Sequence, residues 1–165
     1  MRILIVSDTH IPVNADGLPE IIKQEAKRCA CCIHAGDFID QAVLEELSSL
    51  TKVYAVRGNM DNEEIKNKLP DKQILNIEGI KIGLFHGRGS PSRILETIDR
   101  EFADQKDNVD IFIFGHSHYA FDREINGKIY FNPGSVTDTT FAPFRSYGIL
   151  EINGSKIKRQ IVKIG

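Results

Sequence analysis

Between residues 3 and 56 the chain alternates three short β-branched runs with two helical patterns, an order that leaves few folds open. ILIV (3–6) stops at Ser7-Asp8, CCIHA (31–35) stops at Gly36-Asp37, and KVYAV (52–56) leads into Gly58-Asn59. Each run is short, apolar and bounded by turn residues, as strands buried on both faces are. Between them, Leu18, Ile21, Ile22 and Ala26 recur at helical spacing over 18–29, and Val43, Leu44, Leu47 and Leu50 do so over 40–50. The resulting β-α-β-α-β order predicts a parallel sheet with right-handed crossovers, because a twisted strand feeding a helix packs back onto its sheet in that hand.

After Pro70 the pattern changes. QILNI (73–77) and IKIGLF (80–85) flank Glu78-Gly79 and predict a hairpin around a tight turn. Ser90-Pro91 suits an N-cap and first turn, opening a helix over 91–103. VDIFIF (109–114) reads as another buried strand, and Asn126-Gly127 and Asn153-Gly154 each mark the turn of a further hairpin. The last strand, within KIKRQIVKI, alternates basic and apolar residues and reads as the wet face of a sheet edge. A parallel first half with antiparallel additions predicts two packed sheets with helices outside. No repeat or linker interrupts the 165 residues, so one domain over 1–165 is expected.

Composition sets outer limits. A hydrophobic fraction of 41% supplies an ordinary globular core, and a formal net charge of −2 gives no general drive toward polyanions. Neither a membrane nor a stable nucleic-acid partner is therefore expected, while a homo-oligomer stays open. The opening MRILIVSDTH is too short in its apolar run for a signal-peptide core or a membrane span, and the expected location is cytoplasmic. Cys29, Cys31 and Cys32 crowd into CACC, but the C-x-x-C ends a helical pattern and enters a strand, the reverse of a redox motif. Reduced thiols packed as small apolar side chains are expected.

The chemistry lies just past the strand ends. ILIV is followed by Asp8-Thr9-His10, CCIHA by Gly36-Asp37, KVYAV by Gly58-Asn59, IKIGLF by His86, and VDIFIF by Gly115-His116-Ser117-His118. Open α/β sheets bind ligands beyond the carboxyl ends of their strands. Gly36, Gly58 and Gly115 stand directly before polar residues, which lets the backbone turn closely at the sheet edge. One such strand end would be a polar turn; five converge on a site. Asp8, His10, Asp37, Asn59, His86, His116 and His118 are too many ligands for one ordinary transition-metal ion. With one carboxylate shared, they give two ions four protein ligands each and leave positions open for water and substrate. Two dications against two carboxylates leave positive charge, which attracts phosphate and acidifies a bound water. Gly58 and Asn59 tolerate positive φ and predict a turn, but Asn59 also adds a carbonyl oxygen without cancelling charge, so it reads as a ligand that the turn delivers.

D-T-H, G-D-x-x-D, G-N-x-D, an isolated strand-end histidine and G-H-S-H, in this order, make the chain resemble the calcineurin-like metallophosphoesterase superfamily. Within it, the chain is similar to the small single-domain YfcE-type phosphodiesterases over essentially its whole length, NPGS at 132–135 included. The resemblance implies an α/β fold of the metallophosphatase type, a four-layer α/β/β/α sandwich of two mixed sheets. It implies a divalent-metal-dependent phosphodiesterase acting on a small phosphodiester, with a metal-bound hydroxide attacking phosphorus in line. It also implies a first metal on Asp8, His10, Asp37 and His118 and a second on Asp37, Asn59, His86 and His116, with Asp37 bridging. Manganese is the expected ion; mixed N/O ligation leaves Ni, Fe, Co and Zn open. Catalytic roles would fall to Asp37, Asn59, His86 and Arg88.

Two positions depart from the family pattern. Met60 stands in the third place of G-N-x-D, where many members carry a histidine assigned to the leaving group, and methionine cannot donate a proton. This disfavours a phosphomonoesterase. Arg88 follows His86-Gly87 where close relatives often have a second histidine, and reads as either a substrate contact or a solvated loop cation. From another class, the small subunit of the retromer coat resembles this branch and uses the fold as a protein-contact scaffold, with ligand positions altered; here every ligand position is kept, which favours the enzyme.

Among the remaining polar residues, His34 alternates with Ile33 and Ala35 and reads as a hydrogen-bonded core or supporting histidine. Asp40 either orients a ligand histidine or caps the second helix. Met60 reads as a gap-filler and Asn132 as a turn residue.

Overall fold

The apolar runs become strands and the periodic stretches helices. The computed structural model describes residues 1–165. The first half forms β1 (Arg2–Val6), α1 (Glu20–Arg28), β2 (Cys31–His34), α2 (Gln41–Leu50), β3 (Lys52–Ala55) and α3 (Glu63–Lys68). The second half forms β4 (Lys72–Ile77), β5 (Ile80–Phe85), α4 (Ile94–Glu101), β6 (Ile111–Ile113), β7 (Phe121–Ile125), β8 (Lys128–Asn132), β9 (Ser146–Asn153) and β10 (Lys156–Lys163).

The strands make two mixed five-stranded sheets, ordered β10-β9-β1-β2-β3 and β4-β5-β6-β8-β7. In the first, β1, β2 and β3 are parallel, with Ile3 opposite Cys31 and Cys31 opposite Lys52. The β9–β10 hairpin adds antiparallel strands on the other side of β1. In the second, β5, β6 and β8 are parallel, while β4 and β7 fold back as antiparallel edges.

Side-chain alternation along β1 shows how the layers stack. Ile3 and Ile5 point between the sheets, into a core shared with Ile33, Ile82, Ile111, Ile113, Phe131 and Leu150. Leu4 and Val6 point the other way, against Ile22 and Ala26 of α1 and Val43 and Leu47 of α2. On the far face of the second sheet, Phe112 and Tyr130 pack beneath Ile94 and Ile98 of α4. Helices, sheet, sheet and helix thus form the expected four-layer α/β/β/α sandwich. Truncating a side chain such as Ile33, buried between two sheets, to alanine costs roughly 2–5 kcal/mol, more than any one surface ion pair supplies.

Several local expectations are settled or revised. Asp40 caps α2: its carboxylate accepts from the Ala42 amide at 2.8 Å. Ser90 stands before the helical stretch but makes no side-chain cap bond, and that stretch starts with a single 3₁₀ turn, Pro91–Arg93, before α4. Helix α3 has no apolar periodicity to announce it, since only Ile65 is buried; it is held at its start by Asn62, which accepts from the Ile65 amide at 3.0 Å. Strand β10 lies at a sheet edge with alternating exposure, as its basic-apolar alternation predicts. The three thiols are buried and unpaired, and burial pushes Cys31 up to about 11, far from a reactive thiolate. No helix is long and apolar enough to cross a membrane.

Candidate metal centre

The carboxyl ends of β1, β2, β3, β5 and β6 are tied together by backbone bonds between their loops. The Asp8 amide donates to Gly36 O and the His10 amide to Asp37 O, each at 3.0 Å, joining the first two loops. Within the second sheet the Gly115 amide donates to His86 O at 3.0 Å, and across the sheets the His116 amide reaches the Asp8 side chain, 3.2 Å from Oδ1. The loops turn sharply here: Asp8, His10, Asp37, His116 and His118 all adopt positive φ, between 42° and 68°. For non-glycine residues that conformation costs roughly 1–2 kcal/mol each, so strain is concentrated at these side chains.

Gly58 and Asn59 lie in a loop, as turn chemistry predicts, but form it without positive φ. Gly58 is required for close approach instead, since a Cβ there would lie 2.1 Å from Asp37 Oδ1. Gly115 meets the same limit, 1.9 Å from Ser7 Oγ.

Asp37 Oδ2 sits 3.3 Å from His10 Nε2 and 3.2 Å from His86 Nε2. Asp8 Oδ1 lies 3.4 Å from His118 Nε2, 3.8 Å from His10 Nε2 and 3.9 Å from His86 Nε2. Two groups of ligand atoms lie within 4.8 Å of one another: Asp8, His10 and His118, and Asp8, Asp37 and His86. Both carboxylates therefore reach across the cluster, Asp8 as well as Asp37.

The ring nitrogens are set up as acceptors. His86 Nδ1 is 2.7 Å from Ala35 O; a carbonyl only accepts, so Nδ1 carries the hydrogen and Nε2 presents a lone pair. His118 Nδ1 is held at 2.5 Å by Asp138 Oδ2, which likewise turns Nε2 inward. His116 gives its Nε2 hydrogen to Gly89 O at 2.8 Å. Its Nδ1 then faces Asn59 Oδ1 at 3.1 Å, two acceptors side by side as on neighbouring ligands of one ion. His10 Nε2 and His86 Nε2 are buried with no hydrogen-bond partner at all. A buried polar nitrogen left orphaned next to a carboxylate is costly unless a cation joins them, so the residues fit divalent ions.

Around the candidate ligands stands a layer of polar side chains that hold them in place. Asp138 accepts from the Thr140, Phe141 and Ala142 nitrogens as well as holding His118. Asn132 is buried and more than a turn residue: its Nδ2 donates to Gly115 O and Ser117 Oγ, latching the G-H-S-H loop. Ser135 Oγ donates to Asp8 O at 2.7 Å and Thr137 Oγ1 to Thr9 O at 2.7 Å. Asp61 accepts from the Gly58 and Ile39 amides at 2.7 and 2.8 Å, tying two ligand loops together. Spacing offered one signal, a run of polar residues just after NPGS.

His34 lies in the core beside the site. Its Nδ1 accepts from the Gly36 amide at 3.1 Å, so Nε2 donates to Thr9 Oγ1 at 3.2 Å, and burial pushes it down to about 3, leaving it neutral. Met60 does not fill a gap: it is 55% exposed, and its amide donates to Asp37 Oδ1 at 2.8 Å. Arg88 stands apart from the cluster, in a cleft beside Asn59, where Nη2 donates to Asp71.

Burial opposes charge on His10 and His86, yet the Asp37 and Asp8 carboxylates override it and raise both to about 9. In metal-free protein the two imidazoliums thus supply positive charge where cations would. Their folded values exceed the ordinary 6.5, so the stability they contribute is full below that value and lost as pH rises toward 9. Thermal melts of chelator-treated protein should therefore fall across this window, and melts of metal-loaded protein should fall less, since bound ions need the histidines unprotonated. A metal-free melting temperature that stays flat over the window would contradict the charge pairing.

A family model described as the calcineurin-like phosphoesterase superfamily domain matches residues 1–155. The chain is similar to a probable metallophosphoesterase of Methanothermobacter thermautotrophicus, with 33% identity covering 100% of this chain and 94% of that protein. It is also similar to a phosphodiesterase of Methanocaldococcus jannaschii, with 29% identity over 81% of this chain and 83% of that one. Among solved structures, wild-type Vps29 of Entamoeba histolytica complexed with zinc superimposes with a TM-score of 0.76 at 26% identity, covering 99% of both chains.

Proposed function

The chain belongs to the calcineurin-like phosphoesterase superfamily, and from that premise we propose that it is a phosphodiesterase using two divalent cations. The observation that carries this reading is the pair of orphaned nitrogens, His10 Nε2 and His86 Nε2, on either side of Asp37 Oδ2. Asp8, His10 and His118 would hold one ion and Asn59, His86 and His116 the other, with Asp37 between them. When bound, the two ions, manganese by expectation, would neutralise phosphate charge and acidify a water to serve as nucleophile.

The chain's own part is to hold these groups rigid. Asp138 and Ala35 O fix the tautomers of His118 and His86, so neither ring must reorganise as substrate arrives. Met60 offers no proton donor at the third place of G-N-x-D, which favours diesters whose leaving oxygen departs without help from that position. Residues 1–165 would act as one domain. A scaffold role is less favoured, because all seven ligand positions keep side chains that can bind metal.

Protein reconstituted with manganese should bind about two ions per chain, read by elemental analysis; saturation at one would sink the dinuclear reading. A screen of nitrophenyl phosphodiesters and monoesters, repeated with Mn, Ni, Fe, Co and Zn, tests the activity. Diester turnover should exceed monoester turnover. Hydrolysis of neither with any ion would remove the enzyme reading, and a monoester preference would make the protein a phosphomonoesterase.

A further inference from the structure

Beside the metal centre runs a cleft of about 400 Å³ with no apolar residue in its lining. Asn59 stands at its edge, so the cleft opens directly from the centre. Arg57, Lys66 and Arg88 bring cations to it, against the carboxylates of Glu63 and Asp71. Lys66 Nζ lies 3.7 Å from Glu63 Oε1, whose side chain is 86% exposed, so the positive character of the cleft rests mainly on the two guanidinium groups that share Asp71.

The two arginines are anchored rather than loose. Arg57 Nη1 donates to Lys66 O at 2.9 Å, and its Nε lies 3.7 Å from Asp71 Oδ1. Arg88 Nη2 donates to the other Asp71 oxygen, its Nε lies 3.8 Å from Glu101 Oε1, and its guanidinium carbon sits 5.0 Å over the Phe85 ring. Asp71 is thus shared by the two guanidinium groups, which line one space. Arg57 Nη2 and Arg88 Nη1 take no partner within the chain, so both forks keep donors for an incoming anion. Anchoring also removes much of the side-chain entropy that binding would otherwise cost. Both guanidinium groups pair with carboxylates outside the cluster, with Asp71 and, for Arg88, with Glu101, which sets them to one side of the candidate metal ligands.

The geometry points to a second phosphate on the substrate: while the centre holds the scissile diester, the Arg57–Lys66–Arg88 cleft receives a further phosphate carried on one of its arms. This rests on the phosphodiesterase reading and adds a substrate class to it, diesters that bear an additional phosphate.

The test compares thymidine 5′-(4-nitrophenyl phosphate) with its 3′-phosphorylated counterpart, which shares the leaving group and adds only the second phosphate. With manganese-loaded protein at fixed ionic strength, kcat/KM should favour the 3′-phosphorylated ester by about 10-fold or more, the scale of a charge-assisted contact. In the Arg57→Gln/Lys66→Gln variant, with metal content checked, the ratio should fall to within about twofold of unity. Calorimetry with thymidine 3′,5′-bisphosphate and thymidine 5′-phosphate should show the same preference in the wild type and its loss in the variant. Turnover of both esters at equal kcat/KM with equal affinity for both nucleotides would overturn the second-phosphate site and leave the phosphodiesterase standing. A bisphosphate preference without turnover of either ester would do the reverse. A preference that survives in the variant would place the second phosphate elsewhere and overturn the assignment.

Discussion

Asp37→Asn is expected to fold normally and lose activity by about 10³-fold or more, beyond what removal of one preorganised electrostatic contact usually costs. The substitution is chosen to separate charge from shape. Asparagine tolerates the φ of 61° that Asp37 adopts, and its carbonyl can still accept from the Met60 amide. What it cannot do is place a shared negative charge between His10 and His86, which lie 3.3 and 3.2 Å from Asp37 Oδ2. If Asp37 joins the two ions, its loss should lower occupancy at both, whereas Asn59→Ala should weaken mainly the ion shared with His86 and His116. Elemental analysis, circular dichroism and steady-state kinetics on the two variants distinguish these outcomes. Full metal occupancy with near wild-type turnover in Asp37→Asn would remove Asp37 from the bridging position.

Much of this arrangement was legible in the sequence because it depends on local pattern. Leu4 and Val6 alternate with Ile3 and Ile5, and an apolar run of both parities already means burial on two faces. The clustering of candidate ligands was legible because metal chemistry selects residue types, and these types stood at one repeated place, just past each strand. The supporting layer was not, because it is made by contacts distant in sequence. Ser135 Oγ reaches Asp8 O across 127 positions, and nothing local marks Asp138 as the partner of His118. The reason Gly58 must be glycine is hidden in the same way: it comes from Asp37, on a neighbouring strand end, and not from its own dihedrals. Met60 was assigned to packing by its residue type alone, and its exposure is a tertiary fact.

That exposure makes the Met60→His exchange informative. Met60 is 55% exposed beside Asn59, with its backbone amide committed to Asp37 Oδ1, so a new side chain needs no repacking and the bond to Asp37 is kept. With methionine in place, no proton donor stands at this position, and the leaving oxygen must depart unassisted from this side. Nitrophenoxide hardly needs a proton; an alkoxide, whose conjugate acid is weak, needs one most. Wild-type turnover should therefore fall steeply as the leaving-group pKa rises. Proton donation contributes ~10²–10⁴-fold where it is used, so Met60→His should raise turnover of alkyl-leaving diesters by up to that factor and nitrophenyl diesters far less. The slope of rate against leaving-group pKa should flatten accordingly. A leaving-group series on both proteins at equal metal occupancy measures that slope, and an identical slope in the two would mean that another group in the site supplies the proton.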